Sequence, residues 1–153
     1  MINYSHRTPS LDEFRVILKK HSLKATPQRL AVHEVMLQLG HASADMVTEA
    51  VKNNGKHKVT VASVYNILSQ LALMGIYQHR LSANNKMYFD VCNSRHLHLY
   101  DIENNSYKDI FDEELMETIL SKINGRKFRG YKVDGIDIQI LCHPTKSKSK
   151  SLA

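Results

Sequence analysis

The chain has 153 residues, 42% of them hydrophobic and 24% charged. That length supports one domain or two small ones, and that apolar fraction excludes global disorder. Two cysteines can build neither a disulfide framework nor a four-thiolate zinc site. No apolar run approaches the roughly 20 residues of a membrane span, and the start MINYSHRTPS lacks a signal peptide's apolar stretch. A cytoplasmic protein with no membrane partner is therefore expected. The net charge of +6 is unevenly spread. Residues 1–80 hold ten Lys/Arg against five Asp/Glu, net +5, whereas residues 81–153 hold eleven against ten, net +1. A basic first half suits a polyanion such as nucleic acid, and it equally suits plain solubility.

In chain order, Leu11, Phe14 and Leu18 recur at helical spacing and predict a helix to about Lys20. Thr26-Pro27 starts a second: Thr caps, and Pro fits the first turn, where its missing N–H costs nothing. Ala31, Val35 and Leu39 mark its buried stripe up to Gly40. Ser43 caps a third helix carrying Val47, Ala50 and Val51, which stops at Asn53-Asn54-Gly55. Thr60 caps a fourth, with Val64, Ile67, Leu68 and Leu71 inward and Gly75 at its end.

The hydrophobic period then changes to two. Ile76 to Leu81 and Lys86 to Val91 predict a hairpin around Ser82-Ala83-Asn84-Asn85. Short helices followed by a hairpin make a winged helix. A second hairpin is predicted from His96 to Ile102 and Tyr107 to Ile110. A helix with Phe111, Leu115, Ile119 and Ile123 follows, capped near Asp112. A last strand carries Ile136, Ile138 and Ile140. The fold class is α+β: a winged-helix DNA-binding domain (1–88), a small α/β dimerisation domain (89–145), and a flexible basic tail (146–153).

Two features carry chemistry. On a strand, His96 and His98 point to one side of the sheet. Asp90 precedes them and Asp109 follows eleven residues later, so nitrogen and oxygen donors are available for a metal ion. His-x-His alone is more often no ligand pair, and a distal carboxylate also serves non-haem iron enzymes. On the fourth helix, Ala62, Asn66 and Ser69 lie opposite the apolar stripe, with Tyr65 on the flank. Such a small, polar, uncharged face can enter the major groove, and it is also what any amphipathic helix presents to water. Lys52, Lys56 and Lys58 precede it and could hold phosphates.

Three segments, Leu23-Lys24-Ala25-Thr26-Pro27-Gln28-Arg29, Val61-Ala62-Ser63-Val64-Tyr65-Asn66-Ile67-Leu68 and His96-Leu97-His98, resemble the ferric uptake regulator (Fur) family in order and spacing. The resemblance runs from about Leu11 to about Leu141. It implies a homodimeric, metal-dependent repressor that binds a pseudo-palindromic, A/T-rich operator in double-stranded DNA. It implies that Lys24 reaches the minor groove and Tyr65 a thymine, within a DNA-binding set of Lys24, Arg29, Thr60, Ser63, Tyr65 and Asn66. It implies a regulatory metal on His41, Asp90, His96, His98 and Asp109, with Fe²⁺ or Mn²⁺ as cofactor and Zn²⁺ as an ion that purified protein can carry.

Asp109 stands where iron-sensing members usually carry Glu, and Asp90 also resembles the peroxide-sensing (PerR-like) branch. The resemblance therefore implies peroxide sensing through Fe²⁺-dependent oxidation of a ligand histidine. An iron-responsive repressor of metal-uptake genes is the alternative within the family, and a non-haem metalloenzyme the alternative outside it. The family's structural zinc uses two CxxC pairs, but Asp101, Asn104, Cys142 and Thr145 occupy those positions here, so no Cys₄ zinc is expected. Arg95 and Leu97 likewise put a third family metal site in doubt. Dimer contacts are then expected from strand pairing, the 111–123 helix and the 136–141 strand. His6, His21, His33, His57, His79 and His143 read as surface or DNA-proximal.

Overall fold

Side-chain caps start every helix where the sequence places one. In the computed structural model, which describes residues 8–91, 96–133 and 136–146, Ser10 opens α1 (Leu11–Lys20) with a capping box. The Glu13 N–H donates to Ser10 Oγ at 3.2 Å, and the Ser10 N–H to Glu13 Oε2 at 2.9 Å. Thr26 caps α2 (Pro27–Leu39), Ser43 caps α3 (Ala44–Asn53) and Thr60 caps α4 (Val61–Leu73). Each satisfies a backbone N–H that the first turn leaves without a helical partner. Gly75 ends α4 at φ +73°, so that the Ile76 N–H turns back to the Leu71 carbonyl at 2.9 Å. His6, Cys92, Arg95 and tail residues 147–153 lie outside the described residues.

The chain divides into two compact units, Met1–Ser94 and Arg95–Ala153. The first is a winged helix. Besides the helices it contains β1 (His41–Ser43), β2 (Gln78–Leu81) and β3 (Met87–Asp90), paired antiparallel in the order β1-β3-β2. Phe14, Leu18, Val35, Val47, Leu68 and Leu71 are among its fully enclosed core side chains. Each contributes about 1.5–3 kcal/mol through burial.

The second unit contains β4 (Leu97–Asp101), β5 (Ser106–Ile110), α5 (Glu113–Ile123, capped by Asp112) and β6 (Gln139–Cys142). The strand order is β5-β4-β6. β4 and β5 form an antiparallel hairpin, whereas β4 and β6 are parallel, so the chain must cross over between them, and α5 lies on that connection. The α+β class and the winged helix agree with the expectation from sequence.

Several local expectations change. β1 was not foreseen: three residues carry too little periodicity to be read. Leu39 is 38% exposed rather than buried, because the helix ends there and the inward face is built from Val32, Val35 and Met36. The last strand begins at Gln139, so Ile136 and Ile138 precede it.

His33 is the largest departure. It is fully buried, stacked on Phe14 at 3.9 Å with ring planes 6° apart. Its two ring nitrogens meet the Tyr77 hydroxyl at 2.6 Å and the Pro9 carbonyl at 2.7 Å. An imidazole with both nitrogens satisfied can be buried without an orphaned polar atom.

Candidate metal centre and nucleic-acid interface

Histidines and carboxylates gather in each unit. In the winged helix, α2 ends at Gly40, whose φ of +72° suits a residue without a side chain. The chain enters β1 at once, and pairing with β3 sets His41 opposite Asp90. His41 Nδ1 lies 3.6 Å from Asp90 Oδ2, and both side chains are nearly shielded from water. A carboxylate so enclosed requires polar or charged neighbours.

In the second unit, His96 just before β4 and His98 within it bring their rings together, with buried Leu97 between them in sequence. The two Nε2 atoms are 2.8 Å apart, so one of them carries a hydrogen. The β4–β5 register places Asp109 opposite His98, and Asp109 Oδ1 lies 3.3 Å from His96 Nε2 and 3.7 Å from His98 Nε2. The Phe111 ring packs against His96 at 5.5 Å and that of Tyr107 against His98 at 6.3 Å. Two imidazole nitrogens and a carboxylate oxygen thus converge in a partly dry pocket. These are the hard-to-borderline donors that Fe²⁺, Mn²⁺ and Zn²⁺ accept, and among the described residues no thiolate joins them.

The residues of the DNA-binding set fall into two groups. Tyr65 and Asn66 stand outward on α4, Tyr65 with its ring edge-on to Phe89 at 6.2 Å. Both line a groove of about 580 Å³, closed on one side by Ser43 and Asp45 at the start of α3 and on the other by Asn85 and Lys86 of the β2–β3 turn. Lys24 is exposed on the loop before α2. Thr60 and Ser63, by contrast, cap α4 reciprocally: the Ser63 N–H donates to Thr60 Oγ1 at 3.1 Å and the Thr60 N–H to Ser63 Oγ at 3.0 Å.

Arg29 donates to the Lys24 carbonyl at 2.8 Å and to Gln70 Oε1 at 2.7 Å. It therefore ties the Lys24 loop to α4. Gln70, Asn85 and Lys86 were not singled out from sequence. Gln70 has no pattern that marks it, whereas the turn position of Asn85-Lys86 would have been a usable cue.

A winged helix with an outward tyrosine and asparagine, joined in one chain to a His-x-His strand facing a carboxylate, defines a metal-responsive DNA-binding protein. Residues 20–140 match the ferric uptake regulator family, and the chain belongs to that family of metal-dependent transcriptional regulators. Such regulators are DNA-binding dimers, not enzymes. Solved structures agree in fold. The Vibrio cholerae ferric uptake regulator is 21% identical with a TM-score of 0.68, covering 86% of this chain and 99% of that one. The Pseudomonas aeruginosa ferric uptake regulator with manganese is 21% identical with a TM-score of 0.69, covering 86% and 98%. The Campylobacter jejuni peroxide stress regulator is 26% identical with a TM-score of 0.61, covering 86% and 96%. No curated protein matches the chain significantly. Among the described residues no helix is long and apolar enough to cross a membrane.

Proposed function

We propose that this chain is a homodimeric, metal-dependent repressor that senses peroxide. The ligand set is His41 and Asp90 from the first unit with His96, His98 and Asp109 from the second. Together they offer three imidazoles and two carboxylates. The observation that carries the reading is Asp109: a short carboxylate, opposite His98 on the neighbouring strand and 3.3 Å from His96. The resemblance associates aspartate here with peroxide sensing, and the 26% likeness to a peroxide stress regulator points the same way.

Each ligand residue has a definite task. The imidazoles supply neutral nitrogen donors, Asp90 and Asp109 balance the cation's charge, and Phe111 shields His96 from water. When bound, Fe²⁺ would activate H₂O₂ by reducing its O–O bond, and the net change would insert one peroxide oxygen into the ring of His41 or His96 while the other leaves as water. The oxidised imidazole would be a poorer donor. Neither cysteine is needed for this chemistry.

DNA reading is assigned to Tyr65 and Asn66 in the major groove and Lys24 in the minor groove. Thr60, Ser63 and Arg29 hold the reading elements through the cap and the Lys24–Gln70 tie. Dimerisation is assigned to the second unit, where β6 is an edge strand with Ile140 and Leu141 41% and 65% exposed. An unpaired apolar edge favours pairing with another strand.

The test is peptide mass spectrometry after H₂O₂ treatment of the Fe²⁺ form, with the Mn²⁺ form as control. One added oxygen on His41 or His96, with iron only, is the expected result. Unmodified histidines with intact operator binding would instead make this an iron-responsive regulator.

A further inference from the structure

The pairing of β4 with β6 brings a second carboxylate to His98. His98 lies opposite Gln139, and the His98 N–H donates to the Ile138 carbonyl at 3.0 Å. That register carries Asp137 to the ring: its Oδ1 lies 3.5 Å from the buried His98 Nδ1, within ion-pair reach but longer than a formed hydrogen bond. His98 Nε2 faces the other way, toward His96 and Asp109. One imidazole therefore stands between two carboxylates, one at each ring nitrogen. Asp137 is absent from the ligand set read from sequence, and nothing in its run Ile136-Asp137-Ile138 marks it.

The position of the imidazole hydrogen follows from these contacts. A hydrogen on Nε2 alone would leave the Nδ1 lone pair facing a carboxylate oxygen, two acceptors with nothing to share. A hydrogen on Nδ1 faces Asp137 and leaves Nε2 as an acceptor, whose lone pair a metal would take in place of the His96 hydrogen. The 2.8 Å contact between the Nε2 atoms is then completed by a hydrogen on His96, with Asp109 Oδ1 at 3.3 Å as a second acceptor. Tyr107 meets His98 edge-on at 6.3 Å, with ring planes at 90°, and limits rotation of the imidazole.

We infer that Asp137 is a positioning residue that holds His98 in its Nδ1–H form and so presents Nε2 to the metal. The inference rests on the reading of His98 as a ligand. It assigns Asp137 no direct bond to the ion.

The hydrogen on His98 can be located in metal-free, full-length protein by long-range proton–nitrogen NMR at mildly alkaline pH, with His98→Gln assigning the signals. Wild type should show the Nδ1–H form. Asp137→Ala should shift it toward Nε2–H or a mixture, while Asp137→Asn, whose amide oxygen still accepts, should retain it. In parallel, Mn²⁺ titration should show affinity about tenfold weaker in Asp137→Ala, with Asp137→Asn in between. An unchanged tautomer in Asp137→Ala overturns the inference, as does equal Mn²⁺ affinity in all three proteins. If wild type takes up no Mn²⁺ yet the tautomer responds to Asp137, the metal-site reading falls and the hold of Asp137 on His98 stands.

Discussion

Tyr77 donates its hydroxyl hydrogen to His33 Nδ1 at 2.6 Å, joining α2 to the segment that leads into the wing. The direction follows from the opposite nitrogen. Pro9 offers only a carbonyl, so Nε2 at 2.7 Å must be the donor and Nδ1 the acceptor. Burial pushes the Tyr77 hydroxyl far above its ordinary range, which keeps it a donor. Burial also lowers the His33 pKa below 6.5, against a smaller opposing effect of the Pro9 carbonyl.

This lowered pKa makes stability depend on pH with a definite sign. Below about pH 6.5 the unfolded chain binds a proton at His33 that the folded chain resists. Stability from this group is therefore complete above about pH 6.5 and declines as pH falls below it. Urea unfolding of wild type and His33→Gln across that range measures the effect. The variant should be less stable near neutrality and show a shallower loss on acidification. Parallel curves for the two proteins would remove His33 as the cause.

The proposed role of Tyr65 in reading DNA can be tested apart from the stability of the fold. The residue is 44% exposed, and its ring meets Phe89 of the core edge-on. Tyr65→Ala should change stability by no more than about 1 kcal/mol. It should weaken binding to the specific operator by about 1–3 kcal/mol and relax discrimination at one base pair. Fluorescence anisotropy with matched and mismatched duplexes checks this, and operator binding equal to wild type would move the reading face elsewhere.

Asp109 tests the coupling of metal to DNA. Asp109→Ala should weaken Mn²⁺ binding and, at a fixed Mn²⁺ concentration, weaken operator binding by about 5–150-fold. Metal-free operator affinity should not change, since Asp109 belongs to the second unit and the proposed DNA set to the first. Loss of DNA binding without loss of metal affinity would break the proposed linkage.

With two cysteines in the sequence, the chain is expected to fold without tightly held zinc. Asp101, at a position the resemblance gives to cysteine, instead closes its own turn. It accepts from the Glu103 N–H at 2.9 Å, the Asn104 N–H at 3.1 Å and the Asn104 side-chain amide at 2.7 Å. Cys142 Sγ lies 3.5 Å from the Tyr100 carbonyl. A colorimetric zinc assay on protein denatured after prolonged chelation should find far less than one zinc per chain. Near-stoichiometric zinc, lost on Cys142→Ser, would show a site of another composition.

Much of the fold was legible because its signals are local. Helix starts depend on a hydroxyl or carboxylate next to an unpaired N–H, so Thr26, Ser43, Thr60 and Asp112 announce them directly. Strand alternation alone puts His96 and His98 on one side, and the stripe Val64, Leu68 and Leu71 fixes which side of α4 is left for Tyr65 and Asn66.

What only the tertiary structure decided are relationships between residues far apart in the chain. The pairing of β1 with β3 sets His41 against Asp90, yet three residues hold no readable period. Pairing of β4 with β6 carries Asp137 to His98, although 39 positions separate them. His33 lies inside only because Phe14, Tyr77 and Pro9 arrive from three other segments to cover it and satisfy both its nitrogens. A cap or an alternating pattern is set by neighbours within a turn or two, whereas burial of a polar ring and strand register depend on partners that only folding brings together.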